Sequence, residues 1–200
     1  MKLSVVLVGC VLLVGCMTPT PRHADNICKV FQERPEWYAK ARASEKRWQV
    51  PLTTQMAIMH QESKFDANAR PKRTKLLGFV PWRRPSTAYG YAQALDTTWD
   101  YYKRLRGKPF ASRTSFSDSI DFVGWYTHRA HVRAGIPPAD TFAMYLAYHE
   151  GIGGYQRRTY RKKRWLVQVA KKVRLRAGIY DAQLRHCEAR LHRRKWLGVF

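Results

Sequence analysis

The sequence predicts a mostly α-helical protein built as one domain, and four observations support this prediction. Apolar residues recur at helical spacing in most segments, as in Met-Ala-Ile-Met at residues 56–59. Residues that favour helix starts stand before several of these segments, and few segments show the alternation that is typical of strands. A chain of 200 residues is long enough for a targeting segment and one domain with its own core.

Residues 1–16 have the organisation of a bacterial secretory signal peptide. Lys2 gives a basic start, residues 3–14 form an apolar run, and Leu-Val-Gly-Cys follows at residues 13–16. The apolar run is too short to span a bilayer as a mature helix. The alternative interpretation is a plain helix that belongs to the core.

The last four residues of this segment resemble a lipobox, which implies that Cys16 becomes a lipidated N-terminus. A similar tetrapeptide ends at Cys10, but cleavage there would leave a very short apolar region. Residues 17–25 are rich in Pro and Thr and are expected to form a tether. The folded domain is therefore predicted to occupy residues 26–200.

The first helices of this domain are predicted from local start signals. Asp25 and Asn26 can cap a helix that is interrupted or restarts at Pro35 and runs to about Trp48. Thr53 or Thr54 is predicted as the N-cap of the next helix.

That next helix, in the stretch 56–69, reaches Glu62 within two turns of its start. A carboxylic acid at the end of an apolar segment is costly to ionise, so it tends to keep its proton near neutral pH. Such a group suits general acid catalysis. The alternative is a solvated glutamate at a helix end.

Residues 70–87 contain three prolines and a short strand-like run at 76–80, so we expect a loop with a short β-hairpin or flap over a cleft. Further helices are predicted beyond it. The first is expected at about 97–106 after Asp96, and the second from Ser117-Asp118 to about 133. The third is expected at 141–149, opened by Asp140 and ending at Gly151. The last is expected at 162–194 with a break at Gly178, and Gly153-Gly154 is expected to form a turn.

Three short motifs follow one another in this framework: ESKFDANA at 62–69, YGYAQ at 89–93 and AYHEG at 147–151. Together they resemble the motifs of the lytic transglycosylases with a soluble-lytic-transglycosylase (SLT) domain, whose usual forms are Glu-Ser-x-Phe, Gly-Leu-Met-Gln and Ala-Tyr-Asn-Ala-Gly. The resemblance covers roughly residues 50–155. It implies a lysozyme-like fold, related to goose-type lysozyme, and cleavage of peptidoglycan without any cofactor.

The resemblance also implies a role for each matching residue. Glu62 would protonate the glycosidic oxygen between N-acetylmuramic acid and N-acetylglucosamine, and then take the proton of the muramic acid 6-hydroxyl as an anhydro ring closes. Ser63 would hydrogen-bond Glu62 or the acetamido group, and Gln93 would help to hold the sugar. Tyr148 would position the glutamate or the reacting ring.

The chain departs from the family pattern in its second and third motifs. Tyr91-Ala92 replaces Leu-Met, His149 stands where the family has Asn, and Glu150 stands where it has Ala. His149 remains a candidate sugar contact, although its two nitrogens replace an amide. Because of their positions near the motifs, Tyr91 and Tyr155 are predicted to stack on sugar rings.

Glu150 leaves a second reaction open, because a second carboxylate could activate water and give the hydrolysis of a goose-type lysozyme. Successive helical residues point about 100° apart, so Glu150 is expected to face away from Tyr148 and from the cleft. The opposing interpretation is a salt bridge to a neighbouring Arg. No histidine cluster has the spacing of metal ligands, so no metal site is expected.

The charge is strongly basic, with 37 Lys and Arg against 14 Asp and Glu, for a formal net charge of +23. In a cytosolic protein the basic stretch 157–176 would indicate nucleic acid, but an exported lipoprotein is expected to meet the carboxylates of peptidoglycan stem peptides and anionic lipids instead. The alternative is that this stretch forms a solvent-exposed helix face that binds no ligand.

Once Cys10 is removed and Cys16 carries lipid, Cys28 and Cys187 remain. In an oxidising envelope compartment this pair is predicted to form a disulfide.

We expect a monomer in the cell envelope, lipid-anchored through Cys16 and facing the periplasm from the outer membrane, with glycan strands as its partner. A wall-binding protein without catalysis and a basic protein that acts on lipids or another partner are the remaining alternatives.

Overall fold

The computed structural model describes residues 19–76, 80–81 and 83–196. The predicted signal peptide and Cys16 lie outside these residues. Eight α-helices in the described ranges confirm the mostly α-helical prediction. They are α1 Ile27–Glu33, α2 Pro35–Trp48, α3 Leu52–Ser63, α4 Asp96–Arg106, α5 Phe116–Ala134, α6 Thr141–Glu150, α7 Ile152–Gln156 and α8 Arg164–Trp196, with a 3-10 helix at Thr159–Lys162.

Two short strands, β1 (Lys75–Leu76) and β2 (Val80–Pro81), pair antiparallel between α3 and α4. This pairing lies within the segment 70–87, where the sequence predicts a hairpin. The strands belong to the part of the chain that links the first two motifs.

Local signals set several helix starts as predicted. The Asn26 side chain accepts a hydrogen bond from the backbone N–H of Lys29, and Pro35 occupies the first turn of α2. The Asp140 side chain caps α6 in the same way, by accepting from the N–H of Ala143.

Helix α3 is the buried centre of the fold, and it packs against α8, α5 and α2. Its N-terminal two turns, from Leu52 to Met59, are buried throughout. The predicted threonine N-cap is wrong: the helix begins after Pro51, and both threonines lie inside it. The Thr54 hydroxyl instead pairs with the Thr141 hydroxyl of α6 at 2.7 Å, because burial favours a bond between helices over a cap.

Helix α8 runs without the predicted break at Gly178. Glycine costs about 1 kcal/mol in a helix interior. Here the helix is held on both sides of Gly178 by buried residues such as Ala177 and Tyr180, which pack in the core. Packing therefore outweighs the local preference.

The predicted turn at Gly153-Gly154 is also wrong, because both residues lie in α7. Gly151 ends α6 with a φ of +76° and lets the chain start α7 at once. A side chain at Gly154 would meet the Cβ of Glu150 at 3.1 Å, so close packing accounts for this glycine.

The two ends of the domain are joined by a disulfide between Cys28 of α1 and Cys187 of α8, whose Cα atoms lie 6.0 Å apart. Two side chains of α8 add hydrogen bonds near the start of α1. The Tyr180 hydroxyl donates to Ala24 O before the helix, and the Gln183 side-chain oxygen accepts from the N–H of Ile27, the first residue of α1. The last helix is thereby fixed to the first.

Candidate active site

Glu62 lies one residue before the end of α3, where the buried helix reaches a cleft. Glu62 is half-buried, whereas the residues of α3 from Leu52 to Met59 are buried. The cleft has a volume of about 420 Å³. It is lined by residues of all three motifs and of the helices around them: Glu62, Ser86, Ala88, Gln93, Ala94, Leu95, Thr98, Phe122, Tyr126, Tyr148, His149, Glu150 and Gly151.

Burial raises the pKa of Glu62 to about 7, because the ionised carboxylate loses its hydration. A side-chain hydrogen bond with Tyr145 opposes this shift, since a hydroxyl donor favours the charged form. A carboxyl group with a pKa near 7 populates both its protonated and its ionised form at neutral pH. It can therefore give a proton and take one back.

Tyr145 is a residue of this site that the sequence analysis missed. It is buried in α6, and burial together with the negative charge of Glu62 raises its pKa well above the ordinary value. It therefore stays a neutral hydrogen-bond donor. Tyr145 precedes Tyr148 by three residues, and helical residues at this spacing share a face. That spacing could have indicated it.

Tyr148 closes the other side of the cleft and is tied to the second motif. Its hydroxyl donates to the backbone oxygen of Ala92 at 2.6 Å, and its ring stands edge-on to Tyr126 with centroids 5.3 Å apart. Burial and the nearby Glu62 raise its pKa well above the ordinary value. Tyr148 thus connects α6 to the loop that carries Gln93. Tyr126 and Phe122 of α5, which support its ring, were also missed, and their sequence carries no specific signal.

Gln93 lines the cleft with its backbone in the left-handed region, at a φ of +47°. Its side-chain nitrogen donates to the backbone oxygens of Ala69 and Gly90, both at 2.9 Å. These bonds use the two donors of the amide and leave its oxygen as the group that can accept a hydrogen bond from a ligand.

Gly90 shapes the loop that holds Gln93. Its φ is +74°, and a Cβ atom there would lie 2.1 Å from the backbone oxygen of Arg113. A side chain is therefore excluded by conformation and by space. The glycine of this motif is required by the backbone path and does not itself contact the cleft.

Ser63 is not among the residues that line the cleft. Its hydroxyl donates to the backbone oxygen of Tyr91 at 2.8 Å and accepts from the N–H of Phe65 at 3.1 Å. It thereby ties the end of α3 to the second motif. In the structure Ser63 supports the loop behind Glu62, and its direct contact with the sugar stays a prediction.

The predicted sugar contact of Tyr91 has to be corrected. The residue is 2% exposed, and its ring packs edge-on against Trp37 and Phe116 at 5.5 and 5.9 Å. It belongs to the core, because the loop turns its side chain away from the cleft. Tyr155 does not line the cleft either; its ring stacks on Tyr160 with centroids 5.5 Å apart.

His149 and Glu150 both border the cleft, but in different ways. The His149 side chain is 34% exposed, whereas that of Glu150 is 4% exposed. The Glu150 carboxylate accepts from Lys163 Nζ at 2.7 Å and from Thr159 Oγ1 at 2.6 Å. Although burial opposes ionisation, the hydrogen bonds from Lys163, Thr159 and His149 hold the pKa of Glu150 below its usual value. The Glu150 carboxylate therefore links the end of α6 to Thr159 and Lys163.

No group of three or more His, Cys, Asp or Glu in the described part of the chain is arranged to hold a metal ion. A search of the same residues finds no helix with the length and apolar character needed to cross a bilayer.

Comparison with known proteins places these features in one family. A family model described as a transglycosylase SLT domain matches residues 4–187. No curated protein and no solved structure matches the chain.

Proposed function

Because the chain belongs to the transglycosylase SLT domain family, we propose that it is a peptidoglycan lytic transglycosylase in which Glu62 is both acid and base. The reaction cleaves the bond between N-acetylmuramic acid and N-acetylglucosamine and leaves a 1,6-anhydro ring on the muramic acid. The observation that carries the proposal is the half-buried Glu62 in the cleft, with its pKa raised to about 7.

In the proposed first step, protonated Glu62 gives its proton to the glycosidic oxygen as the bond to the muramic acid C1 breaks. The departing sugar leaves with a new hydroxyl group. In the second step, the Glu62 carboxylate takes the proton of the 6-hydroxyl while that oxygen bonds to C1. The acid is regenerated and no water is consumed.

The neighbours of Glu62 support both steps. The Tyr145 hydroxyl stays a donor through the cycle and stabilises the carboxylate after the first step. The Gln93 amide oxygen is available to accept a hydrogen bond from the sugar. Tyr148, fixed to Ala92, keeps the two sides of the cleft at a constant separation.

The state of Glu150 favours this reaction over hydrolysis. A lysozyme-type base must be free to take a proton from water. The Glu150 carboxylate accepts hydrogen bonds from Lys163 and Thr159. Neither of these two residues lines the cleft. Glu62 is the acid that remains for catalysis in the described cleft.

Lysis of insoluble peptidoglycan by three forms of the protein tests this assignment. We expect Glu62→Gln to lower the rate by at least about 10²-fold, because loss of general acid–base catalysis has an effect of that order. The matched variant Glu150→Gln should keep most of the activity. Lysis by Glu62→Gln at more than about one per cent of the original rate would show that another group carries the reaction.

A further inference from the structure

Trp165, at the start of α8, is exposed beside the candidate active site. Its side chain is 56% exposed, whereas the other tryptophans with described side chains are at most 9% exposed. Its indole stands edge-on to the imidazole of His149, with ring centroids 5.2 Å apart. Because His149 lines the cleft, its imidazole and the indole together form an aromatic edge beside the cleft.

Two features fix the position of this indole. Leu166, the next residue, is fully buried and anchors the first turn of α8 in the core. Glu150 binds Lys163 and Thr159, and thereby joins the end of α6 to the residues just before Trp165. The aromatic edge is therefore held in place against the cleft.

Four basic residues directly precede Trp165 in the chain. Arg161, Lys162 and Arg164 are exposed, and none of them forms an ion pair with an acid of the described residues. Lys163 is the exception, since it is bound to Glu150. A ligand that covered this surface would gain from an apolar face against the indole and from negative groups beside it.

We propose that Trp165 and His149 form an outer subsite that binds a sugar ring of the glycan strand beyond the scissile bond, with Arg161 and Arg164 attracting stem-peptide carboxylates. This inference rests on the proposed function for the identity of the ligand. The carbon-bound hydrogens of a sugar ring give it an apolar face that packs on an indole. The stem peptides supply carboxylates on the same strand.

An anionic membrane is the other surface that a tryptophan among cations would suit. The glycan is favoured because the indole contacts His149, which lines the cleft, so a strand that leaves the cleft beside His149 would reach the indole.

The test is co-sedimentation of the full chain with purified insoluble peptidoglycan, with Glu62→Gln present in every variant so that binding is measured without cleavage. Trp165→Ala should weaken binding by about tenfold, which corresponds to about 1.4 kcal/mol. Trp165→Tyr should bind within about threefold of the parent, because a ring remains for stacking.

Phe110→Ala is the matched control, since Phe110 is 96% exposed and does not line the cleft. It should bind like the parent. Thermal unfolding of each variant identifies any loss of fold. If Trp165→Ala binds peptidoglycan like Phe110→Ala, the subsite is wrong. Loss of binding to anionic lipid vesicles with unchanged binding to peptidoglycan would also overturn it and assign the surface to a membrane.

These results separate the subsite from the reaction. Unchanged binding by Trp165→Ala, with lysis that depends on Glu62, rejects the subsite alone. Binding that depends on Trp165 in a protein that cleaves no peptidoglycan keeps the subsite and rejects the proposed function. The variants Arg161→Gln and Arg164→Gln test whether these arginines attract stem-peptide carboxylates. Each should weaken binding to peptidoglycan in low salt, and the loss of binding should become smaller as the salt concentration increases.

Discussion

Burial and a hydrogen bond with Tyr145 act in opposite directions on the pKa of Glu62. Burial alone favours the neutral acid, and the hydrogen bond with Tyr145 moves the pKa back toward its ordinary value. Without this donor, Glu62 at the same degree of burial would give up its proton less readily. The proposed reaction needs both the protonated and the ionised form of Glu62. The Tyr145 hydroxyl is therefore expected to influence the pH range in which the protein is active.

We predict that Tyr145→Phe shifts the alkaline limb of the pH profile of kcat/KM to higher pH, by about 1 unit at most. Removal of the donor destabilises the carboxylate and raises the pKa of Glu62, so the catalytic proton is retained to higher pH. The profile is measured on insoluble peptidoglycan.

Tyr148→Phe is the control for this shift. Its hydroxyl donates to Ala92 O, so its loss changes the rate without removing the donor to Glu62. A limb that moves equally in the two variants, or that moves to lower pH in Tyr145→Phe, would contradict the role assigned to Tyr145.

At the scale of elements, the loop of the second motif determines where Gln93 stands. Gly90 combines a positive φ with an approach to Arg113 that leaves no room for a Cβ atom. Gly107, at the end of α4, also has a positive φ, but a Cβ there would meet nothing within 4 Å. Substitution of Gly107 by alanine therefore measures the cost of the positive φ alone, and substitution of Gly90 measures that cost together with the clash with the Arg113 backbone.

Gly107→Ala should lower the free energy of unfolding by about 1 kcal/mol through its backbone conformation. Gly90→Ala should cost at least about 1 kcal/mol more, because the backbone of Arg113 must move as well. Urea denaturation measures both values. Equal losses in the two variants would mean that the approach to Arg113 does not constrain the loop.

The elements also show what the sequence could predict. Starts governed by one local group, such as the Asn26 and Asp140 caps and Pro35, were predicted because the signal and its effect lie within four residues. The continuation of α8 through Gly178 was not, because the core contacts that hold it come from distant segments.

The distinction between features set by local sequence and features set by distant contacts also holds in the candidate active site. The resemblance of the motifs predicted that Glu62, Gln93 and Tyr148 belong to one site, and in the structure all three line one cleft. The sequence could not show that the Tyr91 ring turns into the core, because a loop has no fixed alternation of faces.

At the scale of the whole molecule, the disulfide closes nearly the entire described domain. Cys28 and Cys187 are separated by 159 positions, and they join the first helix to the last, which also packs on α3 behind Glu62. A crosslink between such distant positions restricts the unfolded chain strongly.

Replacement of both cysteines by serine should therefore lower the free energy of unfolding by about 2–4 kcal/mol. Urea denaturation with and without a reductant measures it. The reductant should destabilise the original protein and leave the double variant unchanged. Two freely alkylatable thiols in protein purified from the periplasm would contradict the bridge.

The central claim concerns which product the whole molecule makes, and mass spectrometry of digested peptidoglycan tests it most directly. The account predicts muropeptides that end in 1,6-anhydro-muramic acid, and it predicts that they persist with Glu150→Gln and vanish with Glu62→Gln. Products heavier by one water, with reducing muramic acid ends that disappear in Glu150→Gln, would contradict the account and assign the chain a lysozyme reaction.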